Sequence, residues 1–221
     1  MTTAIIVAAG KSSRMGGKVD KAFLSLVDKP VVAWSLMAFE KCADIDRIVL
    51  VVRKEQLIAS KAVVKMFGIS KIDKIVAGGA SRQESVAAGL AACDLDTRTV
   101  VVHDGARPLV TPALISEVVA AAKKSPAVAT GCPVVDTLKF CEKGSVVTKT
   151  VSREKLWAVQ TPQAFQAGAL RAAMKAAKGE VTDECQAIEQ DGGTVKIVES
   201  RKPNVKVTVP EDLELAARLL K

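Results

Sequence analysis

The chain has 221 residues, 49% of them hydrophobic and 25% charged, which suits one compact unit with a sizeable core. Lys and Arg outnumber Asp and Glu by 32 to 24, a net charge of +8 that fits nucleic acid, an anionic membrane or small phosphorylated ligands without choosing among them. Aromatic residues make up only 3%, with no Tyr, which argues against a surface on which bases stack, and no apolar run approaches the roughly eighteen residues of a membrane-spanning helix.

The N-terminal stretch MTTAIIVAAGKSS has no basic region ahead of its apolar residues and does not read as a signal peptide. Ile5-Ile6-Val7 is the first predicted strand. It runs into a small-residue loop, Ala8-Ala9-Gly10-Lys11-Ser12-Ser13-Arg14-Met15-Gly16-Gly17-Lys18-Val19-Asp20-Lys21, that carries four cations within eleven residues. Loops at the carboxyl end of parallel strands are where α/β sheets hold ligands, and Gly and Ala let backbone N–H groups approach phosphate. The loop is not a Walker loop, because Ser12 stands where Gly is required and Val19 follows Gly17-Lys18; nor is it GxGxxG, because Ser12 replaces the second Gly.

Arg47–Val52 and Ile72–Val76 are the next strands, and Ser81-Arg82-Gln83-Glu84 is a capping box opening a helix that ends near Cys93. Thr99–Val102 is a fourth apolar strand, followed directly by His103-Asp104-Gly105-Ala106-Arg107-Pro108. An Asp and an Arg at the end of a central strand are costly unless they meet ligand, metal or each other. Asp104 could steer Mg²⁺ or a substrate hydroxyl and Arg107 could grip phosphate, or the two could form a structural pair. His103 is the only histidine, and we read it as packed rather than catalytic. Thr111-Pro112 opens a helix, and Val128–Val135 is a strand.

Residues 134–160 break the alternation with two β-rich runs joined across Glu142-Lys143-Gly144, predicting a β-hairpin arm that packs on something else, such as a partner subunit. Thr161-Pro162-Gln163 reads as a polar turn. A helix is expected from Thr182-Asp183-Glu184, a strand over Val195–Val198 and a last helix from Thr208-Val209-Pro210-Glu211. The five cysteines are odd in number, form no CxxC and have one histidine for company, so they read as reduced residues of a cytoplasmic protein, not as a zinc site. The expected architecture is a Rossmann-like, three-layer α/β/α domain spanning residues 1–221, with a mostly parallel sheet and the inserted arm.

In order, AAGKSSRMGGKVDKAFL, GGASRQESV, VHDGARPL, VDTLKF, VSREKLW, QTPQAF, TDE and NVKVTVPEDL span nearly the whole chain. Together they resemble the cytidylyltransferases that act on 2-C-methyl-D-erythritol 4-phosphate, within the nucleotidyltransferase superfamily. The resemblance implies transfer of CMP from CTP to that polyol phosphate, in non-mevalonate isoprenoid precursor synthesis, with release of pyrophosphate. It implies Arg14 and Lys21 as catalytic cations on the triphosphate, with the nucleotide held near Ala8, Ala9, Gly10, Gly79, Ser85 and Asp104. The polyol phosphate would meet Asp104, Arg107, Thr161, Thr182 and Lys206, while Thr137 and Arg153 on the arm would reach the neighbouring site of a homodimer. It implies Mg²⁺ or another divalent cation held mainly by the CTP phosphates. Asp20 stands where the family usually has Pro, Gly105 where Ala is more frequent and Val209 where Arg is common. The runner-up is a ribitol 5-phosphate cytidylyltransferase, whose family shares most of these loops. A basic nucleic-acid-binding module is a remote alternative, because no helix concentrates a basic face. We expect neither nucleic-acid nor membrane partners.

Overall fold

The computed structural model describes residues 1–10 and 20–220. Strands and helices alternate along them: β1 (Thr2–Ala8), β2 (Ser25–Leu26), β3 (Lys29–Pro30), α1 (Val31–Lys41), β4 (Arg47–Val52), α2 (Leu57–Met66), β5 (Ile72–Ala77), α3 (Arg82–Ala92), β6 (Thr99–Asp104), α4 (Pro112–Ala122), β7 (Ala127–Pro133), β8 (Leu138–Phe140), β9 (Lys149–Val151), β10 (Trp157–Gln166), α5 (Ala167–Ala176), α6 (Glu184–Gln190), β11 (Val195–Glu199) and α7 (Pro210–Leu219).

A seven-stranded sheet has the order β11-β7-β10-β6-β1-β4-β5. Strand β10 runs antiparallel to β6 and β7, and the other pairings are parallel. The continuous apolar strands follow from burial on both faces, since successive side chains point to opposite sides. Ile6, Leu50 and Val101 pack with Leu36 and Phe39 of α1 and Ile115 and Val118 of α4. Ile5, Val49, Val51 and Val102 pack on the other face with Val86 and Leu90 of α3 and Leu170 of α5. This is the expected α/β/α layering. Ala216 of α7, with Leu213 and Leu220, covers Leu26 and Val31 in a smaller cluster.

Helix starts follow the polar side chains. Ser81 accepts from the Glu84 N–H at 3.1 Å, and Thr111 accepts from the Leu114 N–H at 3.3 Å. The Glu84 carboxylate reaches one residue further back than a capping box requires, accepting from the Ala80 N–H at 2.6 Å. Val209 has no capping side chain; Asp212 serves instead, accepting from the Thr208 and Val209 N–H groups at 2.7 and 3.0 Å.

Two expectations need correction. Thr161-Pro162-Gln163 is not a turn but part of β10, with a register shift between Gln160 and Gln163. Its polar residues conceal the strand, and neighbouring β6 and β7 supply the pairing that local pattern cannot. The arm is shorter than its predicted range. Strands β8 and β9 pair from Leu138↔Val151 to Phe140↔Lys149, whereas Trp157–Gln160 already belongs to β10 and pairs with β7. Gly144, at φ +58°, lies in the connection between β8 and β9. Phe140, Val146 and Val147 of the arm are exposed.

At Gly89 in α3, an added Cβ would lie 2.5 Å from Ile5 Cγ2 and 2.9 Å from Val51 Cγ2. Helix propensity favours Ala here by about 1 kcal/mol, but overpacking of a buried contact costs about 1–3 kcal/mol. Gly89→Ala is therefore expected to lower the stability measured by urea unfolding. An unchanged or raised midpoint would show that the contact yields freely.

Candidate active site

The carboxyl ends of β1, β4 and β6 lie side by side, with Ala8 opposite Val52 and Val7 opposite Asp104. Two bonds tie the following loops to this edge: the Gly105 N–H donates to the Val7 carbonyl at 2.9 Å, and the Gly78 N–H to the Val52 carbonyl at 2.8 Å. A cavity opens there, and its lining includes Ala8, Ala9, Gly10, Gly79 and Ser85 together with Lys21, Asp104 and Lys206. The predicted nucleotide residues are thus gathered in one place. Arg14 lies outside the described residues, as do Lys11 and Lys18.

Close packing shapes the loop beside this cavity. A Cβ on Gly78, which precedes the lining residue Gly79, would sit 2.5 Å from the Ala9 Cβ and 2.7 Å from the Ser85 Oγ, so the main chain at Gly78 packs directly against those two side chains. Ser85 is buried, donating to the Ser81 carbonyl at 2.9 Å and accepting from the Gly79 N–H at 3.2 Å. Its hydroxyl therefore shapes the loop. At Gly105, an Ala Cβ would lie 3.2 Å from the Ala8 Cβ and 3.3 Å from Ile6 Cγ2, a tight fit.

A second cavity adjoins the first, sharing Arg82, Asp104 and Lys206 and adding Arg107, Thr161 and Thr182. Asp104, 7% exposed, is the hinge between them. It accepts from Lys206 Nζ at 2.6 Å and Arg82 Nε at 3.1 Å, with Arg107 Nε at 3.8 Å. Burial pushes its carboxyl up, but Arg82 and Lys206 outweigh that and hold it well below the usual carboxylate range. Arg82 in turn grips both oxygens of the fully buried Glu184, at 2.8 and 2.9 Å. Burial pushes the Glu184 carboxyl up, and Arg82 opposes it.

Sequence reasoning missed Arg82 and Glu184 as site residues, because in SRQE and TDE both look like ordinary helix-start residues. Asp183 is the actual cap, accepting from the Gln186 N–H at 2.9 Å, which leaves Glu184 pointing inward. Asn204 was also missed. Its Nδ2 donates to the Thr161 carbonyl at 2.8 Å, and its carbonyl accepts from Arg107 Nη1 at 2.7 Å.

The remaining predicted residues divide. Arg107, Thr161, Thr182 and Lys206 meet at the second cavity. The Thr161 hydroxyl is already engaged, accepting from the Asp104 N–H at 3.0 Å and bonding His103 Nδ1 at 3.2 Å. The exposed Thr182 hydroxyl donates to Gln186 Oε1 at 3.0 Å. Thr137 and Arg153 lie exposed on and beside the arm and line neither cavity of their own chain, and Arg153 donates to the Val135 carbonyl. His103 is fully buried against Phe39, with Nε2 at 3.3 Å from the Arg107 carbonyl; it braces the loop, as the packed reading expects. Among the described residues no group of three or more His, Cys, Asp or Glu side chains could hold a metal ion. The cysteines are free, with Cys42, Cys93 and Cys185 buried. No described helix is long and apolar enough to cross a membrane.

Known proteins similar to this chain match it along nearly its whole length. A family model described as 2-C-methyl-D-erythritol 4-phosphate cytidylyltransferase matches residues 2–221. A protein of that description from Dehalococcoides mccartyi is 44% identical over 218 residues, covering 99% of this chain and 95% of the relative. One from Alkaliphilus metalliredigens is 40% identical over 222 residues, covering 99% and 92%. The crystal structure of a 4-diphosphocytidyl-2C-methyl-D-erythritol synthase from Anaerococcus prevotii superposes with a TM-score of 0.87 at 30% identity, covering 100% of this chain and 98% of the other.

Burial holds the His103 imidazole at a pKa of about 3, against an ordinary value of 6.5. Between those values the unfolded chain binds a proton that the folded chain refuses, so acidification removes up to about 1.4 kcal/mol of stability per pH unit through this group. Urea unfolding at pH 7 and pH 5 should show His103→Gln losing about 2 kcal/mol less than the parent over that interval. Equal losses would contradict a buried neutral histidine.

Proposed function

The chain belongs to the 2-C-methyl-D-erythritol 4-phosphate cytidylyltransferase family, and from that premise we propose how its residues divide the work of the reaction. It is a nucleotidyltransferase of isoprenoid biosynthesis that transfers CMP from CTP to 2-C-methyl-D-erythritol 4-phosphate and releases pyrophosphate. The observation that carries the division is that two cavities meet at one ionised carboxylate, Asp104.

CTP occupies the first cavity, its base against the main chain of Ala8, Ala9, Gly10 and Gly79 and its triphosphate against Lys21, with Arg14 the second cation that the family resemblance implies. The erythritol phosphate occupies the second, its phosphate near Arg107 and Lys206 and its hydroxyls near Asp104 and Thr182. Thr161 acts from behind, fixing the Asp104 main chain and His103. A phosphate oxygen attacks the α-phosphorus; the new P–O bond forms as the α–β anhydride bond breaks, and pyrophosphate leaves with the electron pair. The attacking phosphate is largely dianionic at neutral pH, so no general base is needed, and the buried neutral His103 stands outside the proton path. The protein's contribution is to align two polyanions that repel each other and to neutralise the charge of the departing pyrophosphate.

The donor set fits a divalent cation brought in with the triphosphate. Asp104 and Asp20, the acidic residues lining the first cavity among those described, are both engaged by cations, so protein carboxylates supply no cage. Asp104 is the residue nearest in kind to a protein ligand for Mg²⁺, which would supply further neutralisation of the phosphates. Exposed Phe140, Val146 and Val147 support an arm that docks on a second subunit and brings Thr137 and Arg153 to that subunit's polyol site. We place this homodimer in the cytoplasm.

Pyrophosphate release should be observed with CTP and 2-C-methyl-D-erythritol 4-phosphate, and far less with UTP or ribitol 5-phosphate. Turnover confined to ribitol 5-phosphate would move the substrate assignment. Lys21→Ala should lower kcat by about 10²–10³ with an unchanged circular dichroism spectrum, and near-parental turnover would remove Lys21 from the mechanism. Mixed dimers of Arg153→Ala and Lys206→Ala chains should regain activity that neither homodimer has. No recovery in isolated heterodimers would argue against a shared site.

A further inference from the structure

Lys21 reaches the nucleotide cavity from a single 3₁₀ turn, Lys21–Phe23, whose geometry depends on the residue before it. Asp20 is 6% exposed and lines the same cavity. One carboxylate oxygen accepts from the Ala22 N–H at 3.2 Å and caps the turn; the other accepts from Arg53 Nε at 3.1 Å. Arg53 directly follows β4, whose last residue, Val52, pairs with Ala8 of β1. The turn is thereby tied to the sheet edge that carries the site. The Phe23 N–H also donates to the Asp20 carbonyl at 3.0 Å, and Ala22 is buried in the core.

Electrostatics makes the second partner necessary. A buried carboxylate facing a triphosphate would repel it at short range, where solvent screens poorly. Arg53 offsets that charge while leaving Asp20 its capping bond. We propose that Asp20 and Arg53 form a charge-compensated clamp that positions Lys21 for the CTP phosphates, with Arg53 a positioning residue for the reaction. The inference rests on the role given above to Lys21.

Steady-state kinetics of four variants test it, each checked by circular dichroism and with both substrates varied. Arg53→Ala should raise KM for CTP about tenfold and leave KM for the erythritol phosphate within about twofold, because the uncovered charge faces only the nucleotide. Arg53→Lys, which keeps the charge, should stay close to the parent. Asp20→Asn combined with Arg53→Ala should recover most of the lost CTP affinity, since Asn still accepts from the Ala22 N–H without a charge. A merely structural Arg53 would disturb both substrates and would not be rescued by changing a second group. Lys21→Ala is the control. If it loses turnover while Arg53→Ala keeps its KM for CTP, or while the double variant is no better than Arg53→Ala alone, the clamp is overturned and the site assignment stands. If Lys21→Ala turns over normally, the site assignment falls and the clamp with it.

Discussion

The site depends on keeping one nearly buried carboxylate, Asp104, ionised at the edge of a hydrophobic sheet. An isolated charge there would be expelled or neutralised, so its neighbours must supply opposite charge and hydrogen bonds. They come from separated parts of the chain: Arg82 from the start of α3, Lys206 from the segment before α7, and the Thr161 hydroxyl from β10 onto the Asp104 N–H. Arg82 has a second obligation to Glu184 of α6. The charges alternate from Glu184 through Arg82 and Asp104 to Lys206; the two outer links join segments about 100 residues apart, and the middle one joins the start of α3 to the end of β6. The same bonds that stabilise the buried charges hold the walls of both cavities in register.

This arrangement suits a reaction in which the protein aligns and neutralises. Two phosphorylated substrates bring like charges together, and Arg82 and Lys206 are already held against Asp104 by ion pairs at 3.1 and 2.6 Å. Gly78 serves packing at the first cavity's edge, where its main chain meets the Ala9 and Ser85 side chains more closely than any Cβ permits. Asp20 illustrates the cost of placing an acid in such a field. It is accommodated because its two oxygens have separate duties, one on the turn that carries Lys21 and one on Arg53.

Much of the scaffold was legible from local pattern. The apolar runs at Arg47–Val52 and Thr99–Val102 could only be strands covered on both sides, and Ser81 and Thr111 marked helix starts because an orphan N–H near the first turn needs an acceptor. β10 was not legible. Its polar QTPQ stretch has no strand signature of its own and becomes one because β6 and β7 offer unpaired edges on either side.

The amino-acid sequence by itself determined the α/β layering, the two loops at the strand ends, the family and thus the reaction, because each rests on residues adjacent in the chain or in an ordered set of motifs. Tertiary structure alone decided which charges meet. Arg82 and Glu184 lie 102 positions apart, and nothing near either one distinguishes a helix-start residue from half of a buried ion pair. The opening excess of positive charge divides on the same ground. Its sign is a sum over composition, whereas the service of Arg82, Lys206 and Arg53 to buried carboxylates depends on folding to bring them within about 3 Å.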